Sequence, residues 1–265
     1  MKTCFLHLGF HKTATTSFQN TCGANQSILA EHGIRMPLFI DKDGKNISNH
    51  TTIIHDIYET IPKNRRQIIK QKKKIPLKAN HNFSNALTLF QLLEGTSSIL
   101  ISGEGILKMS IKSIKNFIED IESSGFKIHP FACTRAPYAY INSALQQTIK
   151  NGKFHAIIKL GSDNKIHSDL EARLPNTLAL IKKSEKFFGQ SMSYYPFNVA
   201  IQYSGGPVAF LIEQVLRIPF KTFEPKISNQ SLCNTTTRLI NCLNSSNANK
   251  ESLNLRRIRK SIDQH

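Results

Sequence analysis

The chain contains no tryptophan, no long apolar run and few acids for its bases. Without such a run it is not expected to hold a membrane-spanning helix, which needs about 20 consecutive apolar residues. Its five cysteines (Cys4, Cys22, Cys133, Cys233 and Cys242) are odd in number and form no Cys-x-x-Cys pair. They read as reduced thiols of a cytoplasmic protein, not as a disulfide or zinc framework. A secretory leader is not expected either. His7, His11 and Lys12 interrupt the first apolar stretch, and no small-residue cleavage site follows.

The shortage of acids is the largest imbalance. Lys and Arg number 35 and Asp and Glu 18, a formal charge of 35 − 18 = +17. Such an excess favours anionic partners: nucleotides, acidic glycans or a membrane surface touched peripherally. Part of it is local. "KNRRQIIKQKKKIPLK", Lys63 to Lys78, holds eight basic residues and no acid, and "LRRIRK" lies near the C-terminus. A solvated face is the plain alternative for the first run. Nucleic acid is not the expected partner, because no aromatic residues interleave with the run to stack on bases.

What is present is enough for a folded core. At 265 residues and 40% apolar content, the chain fits one large domain or two small ones. Thr3 to Leu8 is a short apolar run ended by glycine, which suits a buried strand. A helical pattern follows from Thr15 to about Ala30, with Gly33 as its stop. Residues 41–80 are polar, basic and irregular, with a short helix around Ile53 to Thr60, and read as an insertion. A helix near Phe83 to Leu93 precedes "SSILIS", a second strand ending at Gly103. Ser110 caps a helix whose Ile111, Ile114, Phe117, Ile118 and Ile121 keep a 3.6-residue period up to Gly125. "KIHPFACT" is a third strand, and Pro137 opens a helix running to about Lys150. Ser168 and Glu171 form a capping box for a helix through Leu174, Leu178 and Ile181 to Gly189. "SMSYYPF" is a fourth strand, and Pro207 opens a helix from Val208 to Arg217.

Strand and helix thus alternate four times. The pattern predicts an α/β fold, a central parallel sheet with helices on both faces, in three layers. The sheet domain is expected over 1–227, with 228–265 as a polar helical appendage. Ligands of such sheets bind beyond the carboxyl ends of the strands, here just after Leu8, Ser102, Thr134 and Tyr195.

One of those positions carries the strongest motif. "CFLHLGFHKTATTSFQ" reads as strand, turn and helix start. The turn aims backbone N–H groups at one spot, and the helix N-terminus adds about half a positive charge. Lys12 adds a full one, and Thr13, Thr15 and Thr16 add hydroxyls. That is a cradle for a phosphate-like anion. The order G-x-x-K-T-x-T-T differs from the common nucleotide-triphosphatase loop, where the lysine follows a second glycine.

On these residues the chain resembles the PAPS-dependent sulfotransferase family, in particular its bacterial-type members, and the resemblance implies that the three layers are of the P-loop nucleotide-binding type. The resemblance implies that Gly9, Lys12, Thr13, Ala14, Thr15 and Thr16 grip the 5′-phosphosulfate of 3′-phosphoadenosine 5′-phosphosulfate (PAPS), leaving PAP as product. Lys12 would meet the bridging oxygen as sulfate leaves. The family usually has glycine where this chain has Ala14, a change of little cost if φ is negative there. The family's second motif, an arginine at a strand end and a serine eight positions on, is matched by Arg135 and Ser143 in "FACTRAPYAYINSALQQ". They would hold the 3′-phosphate. Similarity extends over about residues 3–36, 97–152 and 168–240, including "GGPVAFLIEQVLRIPF" and "ISNQSL". Tyr195 and Phe197 read as core or edge packing, with a place beside the adenine as the alternative.

A base is still needed for the acceptor's proton. Glu104 in "ILISGEGIL" stands just past the second strand, between two glycines; related sulfotransferases often carry a Ser-Glu pair after a strand, and here Gly103 intervenes. His11, beside Lys12, competes for the role, and His7 reads as core. The expectation is sulfuryl transfer from PAPS to a hydroxyl or amine, on an acidic saccharide or lipid headgroup, with no metal required. The alternatives are a P-loop kinase using ATP and magnesium, and a non-catalytic basic protein that binds glycan or membrane through residues 63–78.

Overall fold

In the computed structural model, residues 2–61, 63, 66, 81–156, 158, 176–228 and 231–245 are described. The chain divides into two compact units, Met1–Arg135 with Asn176–Ser228, and Ala136–Pro175 with Asn229–His265. The sequence placed a border near 228, but it did not group residues 136–175 with the tail.

The first unit is an α/β structure built on a five-stranded parallel sheet. Its strands are β1 (Lys2–His7), β2 (Ile34–Arg35), β5 (Ser98–Ser102), β6 (Phe126–Thr134) and β7 (Ser193–Pro196), in the order β2-β5-β1-β6-β7. A separate antiparallel pair, β3 (Phe39–Ile40) and β4 (Asn46–Ile47), lies in the stretch that read as an insertion. β1 is central, paired with β5 (Leu6 beside Ile101) and with β6 (Leu6 beside Pro130). Both of its faces are therefore apolar, and alternation sends them to two cores. Cys4 and Leu6 join Ile99, Ile101 and Ala132 on one face, whereas Phe5 joins Leu100, Phe131 and Cys133 on the other.

Helices close both faces. The first core is covered by α3 (Thr51–His55), α4 (His81–Glu94) and α5 (Ile111–Ser123), with α7 (Thr177–Phe188) packed at its margin. The second lies under α1 (Thr15–Ala24), α2 (Gln26–Glu31), α8 (Phe197–Gln202) and α9 (Gly206–Leu211). α5 forms as its period predicts: Ile114, Phe117 and Ile121 are fully buried, and the Ser110 hydroxyl accepts the Ser113 N–H at 3.2 Å.

Several expectations need correction. The sheet has a fifth strand, β2, whose two residues are too few to show a period. The helix expected over 15–30 is two helices, broken at Asn25. Its amide donates to the Thr21 and Glu224 carbonyls (2.7 and 2.8 Å) and accepts the Glu224 N–H (2.9 Å), so it serves the chain passing outside. Residues 51–61 are no excursion: Ile53, Ile54, Ile57, Tyr58 and Ile61 belong to the first core. From the basic run, Arg66 is 4% exposed, donates to the Ile61 carbonyl at 2.7 Å and lies 4.9 Å from the Tyr58 ring. A solvated face does not describe that residue, whereas Lys63 is 61% exposed and the rest of the run lies outside the described residues. The capping box at Ser168 and Glu171 lies outside the described residues, and α7 is capped by the Asn176 side chain, which accepts the Ala179 N–H at 2.9 Å. Leu178, expected on its apolar face, is 61% exposed. The helix expected from Val208 starts at Gly206 and widens from Ile212 to Leu216 before Arg217 turns left-handed at φ 61°.

The second unit pairs α6 (Pro137–Lys150) and α10 (Asn234–Ser245) with the turn that follows α6. Asn244 donates to the Ile149 and Lys153 carbonyls at 2.9 and 3.0 Å. Asn241 donates to those of His155 and Ile158 and accepts the His155 N–H at 2.8 Å. The described part of the tail, residues 231–245, is thus bonded through buried amides.

Candidate active site

The strand order sends β1's connection to one side of the sheet and β6's to the other, which puts the topological switch between these neighbours. Beyond their carboxyl ends lie the loop Leu8–Ala14 and Arg135. The Leu8 N–H donates to the Phe131 carbonyl at 2.8 Å, so the loop leaves β1 still tied to β6. Gly9 has a steric reason. A Cβ there would lie 2.7 Å from Thr15 Cγ2 and 2.9 Å from Glu104 Cγ. Phe10 turns into the first core, and the Thr13 hydroxyl donates to the Phe10 carbonyl at 2.5 Å. Thr13 and Thr15 are buried with their hydroxyls 3.5 Å apart, whereas Thr16 is exposed. The Thr13 proton is thereby committed to the loop itself.

Lys12 (φ 63°) and Ala14 (φ 59°, ψ 20°) are both left-handed. The condition under which alanine would cost little fails, and Ala14 sits where only glycine is unstrained, at about 1–2 kcal/mol. The two reversals turn the chain sharply into α1, whose first turn receives no side-chain cap. Its N–H groups and the positive end of its dipole are left to a ligand or water.

Arg135 closes the loop from the other side. Its Nη1 donates to the Lys12 carbonyl at 2.6 Å, and its Cζ lies 5.0 Å from the Phe197 ring centroid. Its Nε is buried without a partner, and among the described residues no carboxylate forms an ion pair with it. Burial lowers the guanidinium's pKa from its ordinary value. A partly desolvated cation facing no acid is a place for an anion. Ser143 lies on α6, in the second unit, partly buried.

The two candidate bases meet. Glu104 Oε2 lies 3.5 Å from His11 Nδ1, with the side chains 31% and 34% exposed. The Gly103–Gly105 turn that carries Glu104 is clamped: the Gly103 N–H donates to the His7 carbonyl at 3.0 Å, and the Gly105 N–H to Thr51 Oγ1 at 3.1 Å. A Cβ on Gly105 would lie 2.3 Å from Thr51 Cγ2. These glycines admit Thr51 rather than a ligand.

Beneath the loop lies a polar layer that only partly showed in the sequence. His7 is fully buried, its Nδ1 2.8 Å from Ser102 Oγ and its ring stacked on Phe131 at 4.9 Å. His50 accepts the Ser102 N–H at Nδ1 (3.1 Å) and donates from Nε2 to the Pro37 carbonyl (3.0 Å). Gln19 donates to the Ser102 carbonyl and hydroxyl at 3.2 and 3.1 Å. Burial lowers the pKa of both histidines to about 3. His50 stands in no motif, and Gln19 closes the loop-and-helix stretch with no part in the anion cradle, so nothing in the sequence marks either as part of this layer. Tyr195 meets Phe210 edge-on at 5.6 Å as core packing, while Phe197 forms the floor under Arg135.

No family model, curated protein or solved structure matches the chain.

Proposed function

We propose that the chain transfers a sulfuryl group from PAPS to a hydroxyl or amine acceptor. The observation that carries this reading is the meeting of Arg135 with the loop: a guanidinium with a buried, unpartnered Nε holds the Lys12 carbonyl beside the uncapped start of α1. Two anion-seeking groups thus flank one spot at the switch point of the sheet, as a nucleotide with phosphates at two positions requires. Backbone N–H groups of the α1 start and the Lys12 ammonium would stabilise charge growing on the departing 5′-phosphate. Arg135 would take the 3′-phosphate, and Phe197 would keep its fork flat. The roles of Ser143 in the same phosphate contact and of an acidic saccharide or lipid headgroup as acceptor rest on the sequence alone.

A thermal-shift titration tests the reading before any acceptor is known. PAP raises the melting midpoint saturably, and ATP with magnesium does so less. Hydrogen bonds to charged groups contribute about 1.5–3 kcal/mol, so Lys12→Ala and Arg135→Lys each weaken PAP by about tenfold or more. Preference for ATP with magnesium, or PAP binding indifferent to both changes, refutes it.

A further inference from the structure

We infer that His11 and Glu104 are one acid–base unit, in which His11 Nε2 takes the acceptor's proton and Glu104 holds the ring through Nδ1. The inference rests on the sulfuryl-transfer reading and assigns within it two roles that sequence could only offer as rivals.

Glu104 stands on a turn held at both flanks, by the His7 carbonyl and by Thr51, and its Cγ packs where any side chain on Gly9 would collide. Its stem is therefore fixed over the start of the loop that carries His11. A carboxylate only accepts, so the ring atom turned toward it is the one that bears hydrogen. Nδ1 faces Oε2 at 3.5 Å, an ion-pair separation rather than a tight hydrogen bond. A neutral ring with its proton on Nδ1 presents a lone pair at Nε2. The order is acceptor, imidazole, carboxylate, with the carboxylate orienting the ring and stabilising the imidazolium that forms. Both side chains are about one-third exposed, open enough for an acceptor to reach the histidine.

The step balances without further reagents. The acceptor oxygen or nitrogen bonds to sulfur, and the bond from sulfur to the bridging 5′-phosphate oxygen breaks, its electron pair leaving on PAP. The acceptor's proton passes to His11 Nε2. Glu104 changes neither bond nor proton count.

Two measurements decide it. In ¹⁵N-histidine NMR at a pH where the ring is neutral, His11 shows its proton on Nδ1. Glu104→Gln, whose amide oxygen still accepts, keeps that tautomer, and Glu104→Ala loses it. A proton on Nε2 in the wild type, or a His11 signal indifferent to Glu104→Ala, overturns the pairing. PAP release from PAPS, with water as acceptor, separates the roles. His11→Asn lowers it by about a hundredfold or more, as loss of a general base does, and Glu104→Gln by about tenfold or less. The reverse ranking makes Glu104 the base and overturns the assignment. Wild-type PAP binding, measured by calorimetry, tests the underlying reading separately. Its absence removes sulfuryl transfer, while the ring-proton result still decides the pairing.

Discussion

Ala14 shows how much a single residue can conceal. Its neighbours announce an anion loop by type and order, but nothing in those letters states the sign of φ. At φ 59° the alanine methyl crowds the following carbonyl. Ala14→Gly removes that strain, about 1–2 kcal/mol, and adds the wider freedom of the unfolded glycine, about 0.4–1 kcal/mol. The expected net effect is a gain of about 0.5–1 kcal/mol in urea unfolding, with PAP affinity kept. A loss of stability would mean that the left-handed turn is not the ground state of the free loop. His11 and Glu104 make the same point in reverse: their chemistry was legible as types, but 93 positions of chain separate them. Only the pairing of β1 with β5 brings the two loops together.

At the scale of elements, the legible parts were those with a period or a cap. β1, β5 and β6 read as apolar runs because the centre of a parallel sheet is buried on both faces. α5 read from its stripe and its serine. What stayed hidden was short or set by neighbours: β2, the break at Asn25, and α8, which begins at Phe197, the last residue of the expected strand. The Gly103–Gly105 turn belongs here as well. Its glycines make room for Thr51, 52 and 54 positions earlier in the chain. A double-mutant cycle tests this. Gly105→Ala costs about 1–3 kcal/mol through overpacking, while Thr51→Ser removes Cγ2 and keeps the hydroxyl that Gly105 N–H needs. In the double variant most of the loss is recovered, a coupling of about 1 kcal/mol or more in urea unfolding. Additive losses would show that Thr51 Cγ2 is not the obstacle.

The whole molecule inherits a pH dependence from its two buried imidazoles. His7 and His50 titrate at about 3 when folded, against an ordinary 6.5, because burial disfavours their charged forms. The unfolded chain therefore binds protons that the folded one refuses. The stability they contribute is present above pH 6.5 and lost as pH falls from there toward 3. Each histidine takes away about 1.4 kcal/mol per pH unit inside that window. Proton uptake on unfolding between pH 6 and pH 5 should fall by about one proton in His7→Phe, which keeps the aromatic stack. An unchanged slope in that variant would place the His7 ring in water. No helix among the described residues is long and apolar enough to cross a membrane.

The sequence by itself determined the layer type, the carboxyl edge of the sheet, and the residue types of the candidate anion loop and its arginine. These follow from local rules: hydrophobic period, caps, and the punctuation of glycine and proline. Tertiary structure alone decided that Arg135 grips the Lys12 carbonyl, that His11 and Glu104 face one another, and that a buried histidine layer lies beneath the loop. Those contacts join segments 52 to 123 residues apart. Their geometry depends on strand order and on which side chains neighbouring turns can admit, and neither quantity is written in any stretch short enough to have a period.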